Sequence, residues 1–243
     1  MNRPLALDRI RVVLSRTSHP GNIGAAARAM KTMGLRRLWL VAPACFPDEV
    51  ATARAAGSAD VLESARVVGT LQEALADTVF SAALTARRRE LSLPRMHARE
   101  AAVEIVGRTF DGEVALVFGR ERTGLSNEEL QLCHASVHIP ANPEYSSLNL
   151  AAAVQVLAYE LRVALLADGQ VVQPGDDSRQ EPVATHAQME GFFAQLGETL
   201  DDIEFHKGRA PESAVRKLRR VFLRSHLNEQ EVRLLRGILA DAQ

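Results

Sequence analysis

Three short polar segments of the chain hold residues whose types and spacing could do chemistry. The first runs Thr17-Ser18-His19-Pro20-Gly21-Asn22-Ile23-Gly24 and leads to Arg28. Pro20-Gly21 bends the backbone so that the N–H groups of a following helix face outward, and Asn22 can cap that helix. Such a helix start receives a phosphate or another anion, and Arg28 adds a planar fork of donors. A plain turn and cap with a solvated Arg28 fits the same residues. The second segment is Gly119-Arg120-Glu121-Arg122-Thr123-Gly124. Its glycines permit close backbone approach to a ligand, and a carboxylate between two arginines is expected to be ionised and fixed. An ordinary charged loop between a strand and a helix is the alternative. The third runs from Ile139 through Pro140, Asn142, Pro143, Tyr145, Ser146, Ser147, Leu148 and Asn149 to Leu150. Two prolines stiffen it, and hydroxyls and amides crowd the start of an apolar helix. Ser147 suits a helix cap, while Tyr145 and Asn149 exceed what capping requires. No histidine or carboxylate stands at a spacing that suggests a Ser-His-Asp triad.

These segments need a scaffold that gathers them, and the apolar pattern supplies one. They follow aliphatic runs at residues 10–14, 114–118 and 136–139, and further strands are predicted over 38–41, 66–68 and 79–84. Continuous apolar runs between helical stretches predict a parallel sheet buried on both faces, so the class is α/β. Ligands of such sheets collect at the carboxyl ends of the strands, where the three segments can converge. A helix is predicted over 22–33 with Gly34 as its left-handed stop, and another opens at Pro47-Asp48-Glu49 and ends near Gly57. Ser126 through Glu129 reads as a capping box with Leu125 and Leu130 as its hydrophobic staple. Asn228 through Glu231 repeats the device with Leu227 and Val232. Residues 147–167 form a helix apolar around most of its circumference, hence buried on most sides. Ala151, Ala152 and Ala153 leave room there for another helix or a second subunit.

Between residues 168 and 184 glycines, prolines and aspartates break every period, which marks a linker. The expected organisation is therefore a domain at 1–167, a linker at 168–184 and a small helical domain at 185–243. Hydrophobic residues at 47% and charged residues at 24% suit an ordinary globular protein. Nothing approaches an uninterrupted membrane span of ~18 apolar residues. The charges of the first ten residues interrupt the apolar core a signal peptide needs, so none is expected. Two cysteines, Cys45 and Cys133, stand at no metal-ligand spacing, so a reducing, cytoplasmic setting without metal is expected. No GxGxxG follows a strand and no Walker motif occurs, which argues against nicotinamide and ATP chemistry. A formal net charge of −1 does not announce a nucleic-acid binder. Local patches could still bind one. Arg87-Arg88-Arg89 is one such patch, extended by Arg99. A second holds Lys207, Arg209, Arg216, Lys217, Arg219, Arg220 and Arg224 against one carboxylate, Glu212. A solvated helix face and a phosphate grip both fit that run.

Taken in order, residues 22–28 (NIGAAAR), Phe118-Gly119-Arg120-Glu121 with Gly124, and 142–149 resemble the motifs of the SPOUT superfamily of RNA methyltransferases, over about residues 8–167. The C-terminal unit, with its Phe222-Leu223-Arg224 and 234–239 stretches, is similar to that of bacterial TrmJ-type tRNA 2′-O-methyltransferases. The resemblance implies a trefoil knot threaded by the third segment, a rare exception to unknotted topology. It also implies a homodimer and S-adenosylmethionine as cofactor. The cofactor pocket would use Leu84, Thr85, Ala86, Gly119, Ile139, Ser146, Ser147 and Leu148. This chain reads Ala83-Leu84-Thr85 where relatives often carry a Gly-Thr-Ser-type turn, which bears on the contact at Leu84. In the reaction so implied Arg28 would stabilise the developing oxyanion or grip the adjacent phosphate, because a guanidinium that stays protonated is a poor base. Ser147 would orient hydroxyl or cofactor, with Asn22 and Glu121 holding Arg28. The implied substrate is a pyrimidine ribose of tRNA at nucleotide 32 of the anticodon loop. A relative acting on rRNA, or a non-enzymatic RNA-binding protein on the same fold, is the alternative. A class I methyltransferase would need an early Gly-rich loop that is missing.

Overall fold

The apolar runs become strands of one parallel sheet. The computed structural model describes residues 3–86, 93–167, 181–205 and 211–242. In it α1 (Arg3–Asp8) leads into β1 (Ile10–Ser15), α2 (Pro20–Met33), β2 (Arg37–Val41), α3 (Glu49–Ala55), α4 (Ala59–Glu63) and β3 (Arg66–Val68). Then come α5 (Leu71–Leu75), β4 (Thr78–Leu84), β5 (Arg95–His97), α6 (Ala98–Arg108), β6 (Glu113–Phe118), α7 (Asn127–Gln131), β7 (Ala135–His138) and α8 (Leu150–Leu166). The strands pair in the order β3-β2-β1-β6-β4-β7-β5, each neighbour parallel. The class is α/β, as the runs predict. β1 is buried along its whole length, as a strand covered on both faces must be. The chain divides into two compact units, Met1–Gln173 and Pro174–Gln243.

Helix α2 buries Ile23, Ala26, Ala27 and Met30, the i, i+3, i+4, i+7 stripe of a helix laid on a sheet. Gly34 stops it in the left-handed region at φ 89°. Gly24 lets α3 come unusually close, since a Cβ there would lie 2.0 Å from the carbonyl oxygen of Ala51. The helix begins two residues before the predicted start. His19, not Asn22, is its cap: the ring Nδ1 accepts the Gly21 N–H at 3.0 Å, and Pro20 fits the first position, where no N–H is needed. Likewise α8 begins at Leu150 and not at Ser147. Asn149 caps it, its side-chain oxygen accepting the N–H groups of Ala151 and Ala152. Strand β5 has no counterpart in the apolar pattern. Arg95-Met96-His97 is short, with polar residues on either side of one methionine, an edge strand paired to β7.

Opposite the carboxyl ends, β1 carries a charge. Arg11 is fully buried; its Nη1 donates to the Ala74 carbonyl at 2.8 Å and its Nη2 to Glu113. Asp77 lies 3.5 Å away, and the guanidinium stacks on the Trp39 ring at 4.4 Å. Glu113 also accepts from Arg37. Burial pushes the Glu113 carboxyl up, but Arg37 and Arg11 outweigh it and hold the group below its ordinary value.

In the second unit α9 (His186–Asp202), α10 (Pro211–Ser225) and α11 (Glu229–Ala242) enclose Met189, Phe192, Phe193, Leu196, Leu200, Leu223 and Val232. Thr185 and Gln188 form a capping box at α9. Asn228 and Glu231 exchange side-chain and backbone bonds of 2.8 Å at α11, as their spacing predicts. Among the described residues no helix is long and apolar enough to cross a membrane, and no group of His, Cys, Asp or Glu could hold a metal.

Candidate active site

The strand order sets the carboxyl ends of β1, β6, β4 and β7 side by side. The loops leaving them are the three polar segments together with Leu84-Thr85-Ala86. A cleft opens among these loops. Leu84, Thr85, Ala86, Gly119, Ile139, Ser146, Ser147 and Leu148 all line it, joined by Phe118, residues 120–124, Leu150 and Ala153. The loop after β6 is tight: the Gly124 N–H donates to the Arg120 carbonyl at 2.9 Å. A Cβ on Gly119 would lie 2.2 Å from the Leu125 nitrogen, so only glycine can begin this loop.

A continuous hydrogen-bonded chain joins the three segments. Glu121 Oε2 accepts the N–H and the hydroxyl of Ser18 at 3.1 and 2.8 Å. Its Oε1 accepts the His19 N–H at 3.2 Å and the Asn22 amide at 2.9 Å. Asn22 Oδ1 in turn accepts the Asn149 amide at 3.0 Å, and Asn149 Oδ1 takes the Ala151 N–H at 2.9 Å. The direction of the chain is forced. An ionised carboxylate only accepts and a helix start only donates, so each amide between them has one workable orientation. Burial alone pushes the Glu121 carboxyl up, but the bonds from Asn22 and Ser18 prevail and hold it at about 2.

The carboxylate is therefore ionised, as predicted from its neighbours, but the neighbours are not the reason. Arg120 turns away to Glu129 at 3.4 Å, and Arg122 is exposed. Nor do Asn22 and Glu121 hold Arg28. They hold one another, while Arg28 lies exposed on α2, outside the cleft lining, with no hydrogen bond or ion pair among the described residues. Ser147 lines the cleft and is exposed. Sequence reasoning missed Ser18, whose hydroxyl and N–H together take one carboxylate oxygen; a serine two residues before a Pro-Gly turn carries no distinguishing signal. It also missed Glu129, which the capping box fully accounts for at the level of sequence.

The predicted basic patches separate into different kinds. Arg87, Arg88, Arg89, Lys207 and Arg209 lie outside the described residues. Arg99 is taken by Glu160 at 3.1 Å. Arg219 is corrected most clearly: its side chain is 14% exposed, paired to Glu190 through both terminal nitrogens and stacked 4.5 Å above Phe193. That geometry pins α10 to α9. Arg220 is half-buried, whereas Arg216, Lys217 and Arg224 are exposed on α10.

Because Asn149 both caps α8 and donates to Asn22, one substitution separates the roles. Asn149→Asp keeps the capping oxygen and replaces the donor by an acceptor facing Asn22 Oδ1. Thermal stability is expected to stay near that of the parent while turnover at the cleft falls about tenfold, the effect of one lost hydrogen bond. Equal rates in a single-turnover assay would remove Asn149 from the chain.

Comparison with known proteins identifies the family. Residues 9–159 match the SpoU rRNA Methylase family, and residues 187–243 match the C-terminal domain of the tRNA methyltransferase TrmJ. The tRNA (cytidine/uridine-2′-O-)-methyltransferase TrmJ of Klebsiella pneumoniae is 48% identical over 237 residues, covering 98% of this chain and 97% of its own. The crystal structure of TrmJ from Z. mobilis ZM4 superposes with a TM-score of 0.82 at 36% identity, over 95% of this chain and 97% of that one. The SpoU methyltransferase AviRb from Streptomyces viridochromogenes, solved with AdoMet, shares the fold at a TM-score of 0.52 and 23% identity, over 65% of this chain and 60% of its own. With a family match over the whole parallel sheet, a second match over the helical unit, and relatives that align end to end, the chain belongs to the SpoU methylase family, in the branch that carries the TrmJ C-terminal domain, and is a methyltransferase.

Proposed function

We propose that this chain transfers the methyl group of S-adenosylmethionine to a ribose 2′-oxygen of tRNA, on a pyrimidine at nucleotide 32 of the anticodon loop. The observation that carries the reading is the chain from Glu121 through Asn22 to Asn149, which ties three loops around one cleft. The tRNA and the pyrimidine ribose follow the Klebsiella relative, whose name states both. The cleft suits the cofactor. Leu84, Ile139 and Leu148 offer apolar walls to an adenine, while backbone groups of the loops and the Ser146 and Ser147 hydroxyls offer polar contacts.

When bound, a sulfonium donor supplies an electrophilic methyl carbon with a leaving group already activated. The protein's share is alignment of the ribose oxygen and help with its proton. Arg28 meets that oxygen as negative charge develops, or holds the neighbouring phosphate. It does not take the proton. Ser147 orients the hydroxyl from the cleft rim. Residues 185–243 act as the tRNA-gripping domain, where Arg216, Lys217 and Arg224 form a basic face. Binding through such a face weakens steeply with salt.

The third segment would thread a trefoil knot, and the protein would work as a homodimer. In support of the dimer, α8 sets Ala152, Val156, Tyr159, Val163 and Leu166 at alternating spacings of four and three. Tyr159 and Leu166 are 52% and 59% exposed, an apolar seam of the kind two helices share. The test is methyl transfer from S-adenosylmethionine to total tRNA from cells lacking this protein, followed by nucleotide mapping. A 2′-O-methylpyrimidine at nucleotide 32 is expected. Methylation of rRNA instead, or cofactor-independent RNA binding with no transfer, would overturn the reading.

A further inference from the structure

We propose that Glu129, which lies outside the three polar segments, is a positioning residue that sets the angle of the 119–124 loop in the cofactor cleft; the inference rests on the function proposed above. Its side chain is 12% exposed. One oxygen accepts the hydroxyl of Ser15, at the carboxyl end of β1. The other accepts the Ser126 N–H at 2.7 Å and faces Arg120 Nη1 at 3.4 Å. A single carboxylate thus joins a central strand, the cleft loop and the start of α7.

The loop it touches is nearly rigid. Its base is pinched by the Arg120–Gly124 bridge, by the Gly124 N–H on the Arg120 carbonyl and by the packing of Gly119 against Leu125. Gly124 closes it at φ 69°, a conformation natural to glycine. A rigid loop moves as a body, so its placement depends on what holds it from outside. Glu121 is one anchor, fixed to Ser18, His19 and Asn22. A body with one anchor can still rock about it. The Glu129 carboxylate is the second anchor, holding Arg120 on one side and Ser15 on the other. Both anchors grip the same β1-to-α2 stretch, at residues 15 and 18–22. Together they fix where Gly119 and Thr123 stand along the cleft wall. A capping role alone would need only the exchange between Ser126 and Glu129. It leaves the bonds to Ser15 and Arg120 unexplained.

The test separates anchoring from capping. Ser126→Ala removes the cap and leaves the carboxylate; Ser15→Ala cuts the tie to β1 and leaves the cap; Glu129→Ala removes everything. S-adenosylmethionine binding is measured by calorimetry on the full chain, with melting temperature recorded beside it. Glu129→Ala and Ser15→Ala are expected to weaken binding about tenfold, the effect of one lost bond to a charged group. Ser126→Ala should lower the melting temperature and leave affinity within about twofold. Glu129→Gln, which keeps an acceptor but no charge for Arg120, should fall between. Affinity that tracks melting temperature across the four variants would make Glu129 a cap only. A parent protein that does not bind S-adenosylmethionine would overturn the functional reading itself, an outcome distinct from equal binding by parent and variants.

Discussion

Replacing Arg28 by alanine is expected to lower methyl transfer by about 10²–10³-fold, the loss found when one donor to a developing oxyanion is removed. Its side chain is exposed and has no ion pair or hydrogen bond among the described residues. On the proposed reading the guanidinium would meet an incoming oxygen without first leaving a partner among the described residues. The same exposure means that its removal leaves no buried group unpaired, so the fold should be untouched. Two measurements divide the roles. If Arg28 serves only the oxygen that gains charge, single-turnover transfer falls while tRNA affinity holds. If it also grips the phosphate, affinity falls and the salt slope of binding drops by about one. Arg28→Lys keeps the charge without the planar fork and should recover little of either. Transfer near the parent rate in Arg28→Ala, with tRNA binding intact, would falsify the assignment.

At the start of β1, at the end of the sheet opposite the cleft, Arg11→Ala is expected to cost about 3–5 kcal/mol, the loss that follows when one partner is taken from a buried ion pair. That is a large share of the ~5–15 kcal/mol that holds an ordinary domain together. The damage has separate sources. Glu113 keeps its charge in a half-buried place with only Arg37 to answer it, the Ala74 carbonyl loses its donor, and the Trp39 ring loses the plane stacked on it. Arg11→Met fills the space with apolar atoms and should recover part of the loss. Glu113 adds a pH signature. Its carboxyl lies below its ordinary value in the folded protein. The stabilisation is therefore fully present above the unfolded value and is lost as pH falls through the folded one. In Arg11→Ala this acid-side loss should shrink. Urea unfolding of parent and variant at neutral and acid pH checks both statements, and a loss under about 1 kcal/mol at neutral pH would remove the network from the stability of the sheet.

Much of this site was legible in the sequence because its scaffold is local. Strands announce themselves by apolar runs, and the Ser126 and Asn228 caps need only residues a few positions apart. The cleft lining was legible through resemblance, whose motifs fall on the loops at one end of the sheet. What stayed hidden depends on distant partners. Asn22 reads as a cap and is not one, whereas Asn149 reads as more than a cap and is one; their mutual bond spans 127 positions and has no local signature. Glu121 was expected to be ionised by the adjacent arginines, yet side chains next to each other in a loop point apart, and the donors come from a segment about 100 positions earlier. Arg219 failed for a similar reason. A helix face rich in arginine looks solvated until the acidic residue of a neighbouring helix, Glu190, is placed against it. Strand β5 was illegible because an edge strand of three residues, two of them polar, has its extended shape imposed by β7.

The strand order also sets a timetable for synthesis. β6 stands between β1 and β4, so the middle of the sheet cannot close until residue 118 has left the ribosome. Until then β1 and β4 each offer an unpaired edge. At ~5–20 residues per second the gap between the end of β4 at residue 84 and the end of β6 lasts seconds. Each edge is apolar and extended, the kind of surface that recruits other strands. A nascent chain of this protein is thus exposed to misassembly in the interval before β6 arrives.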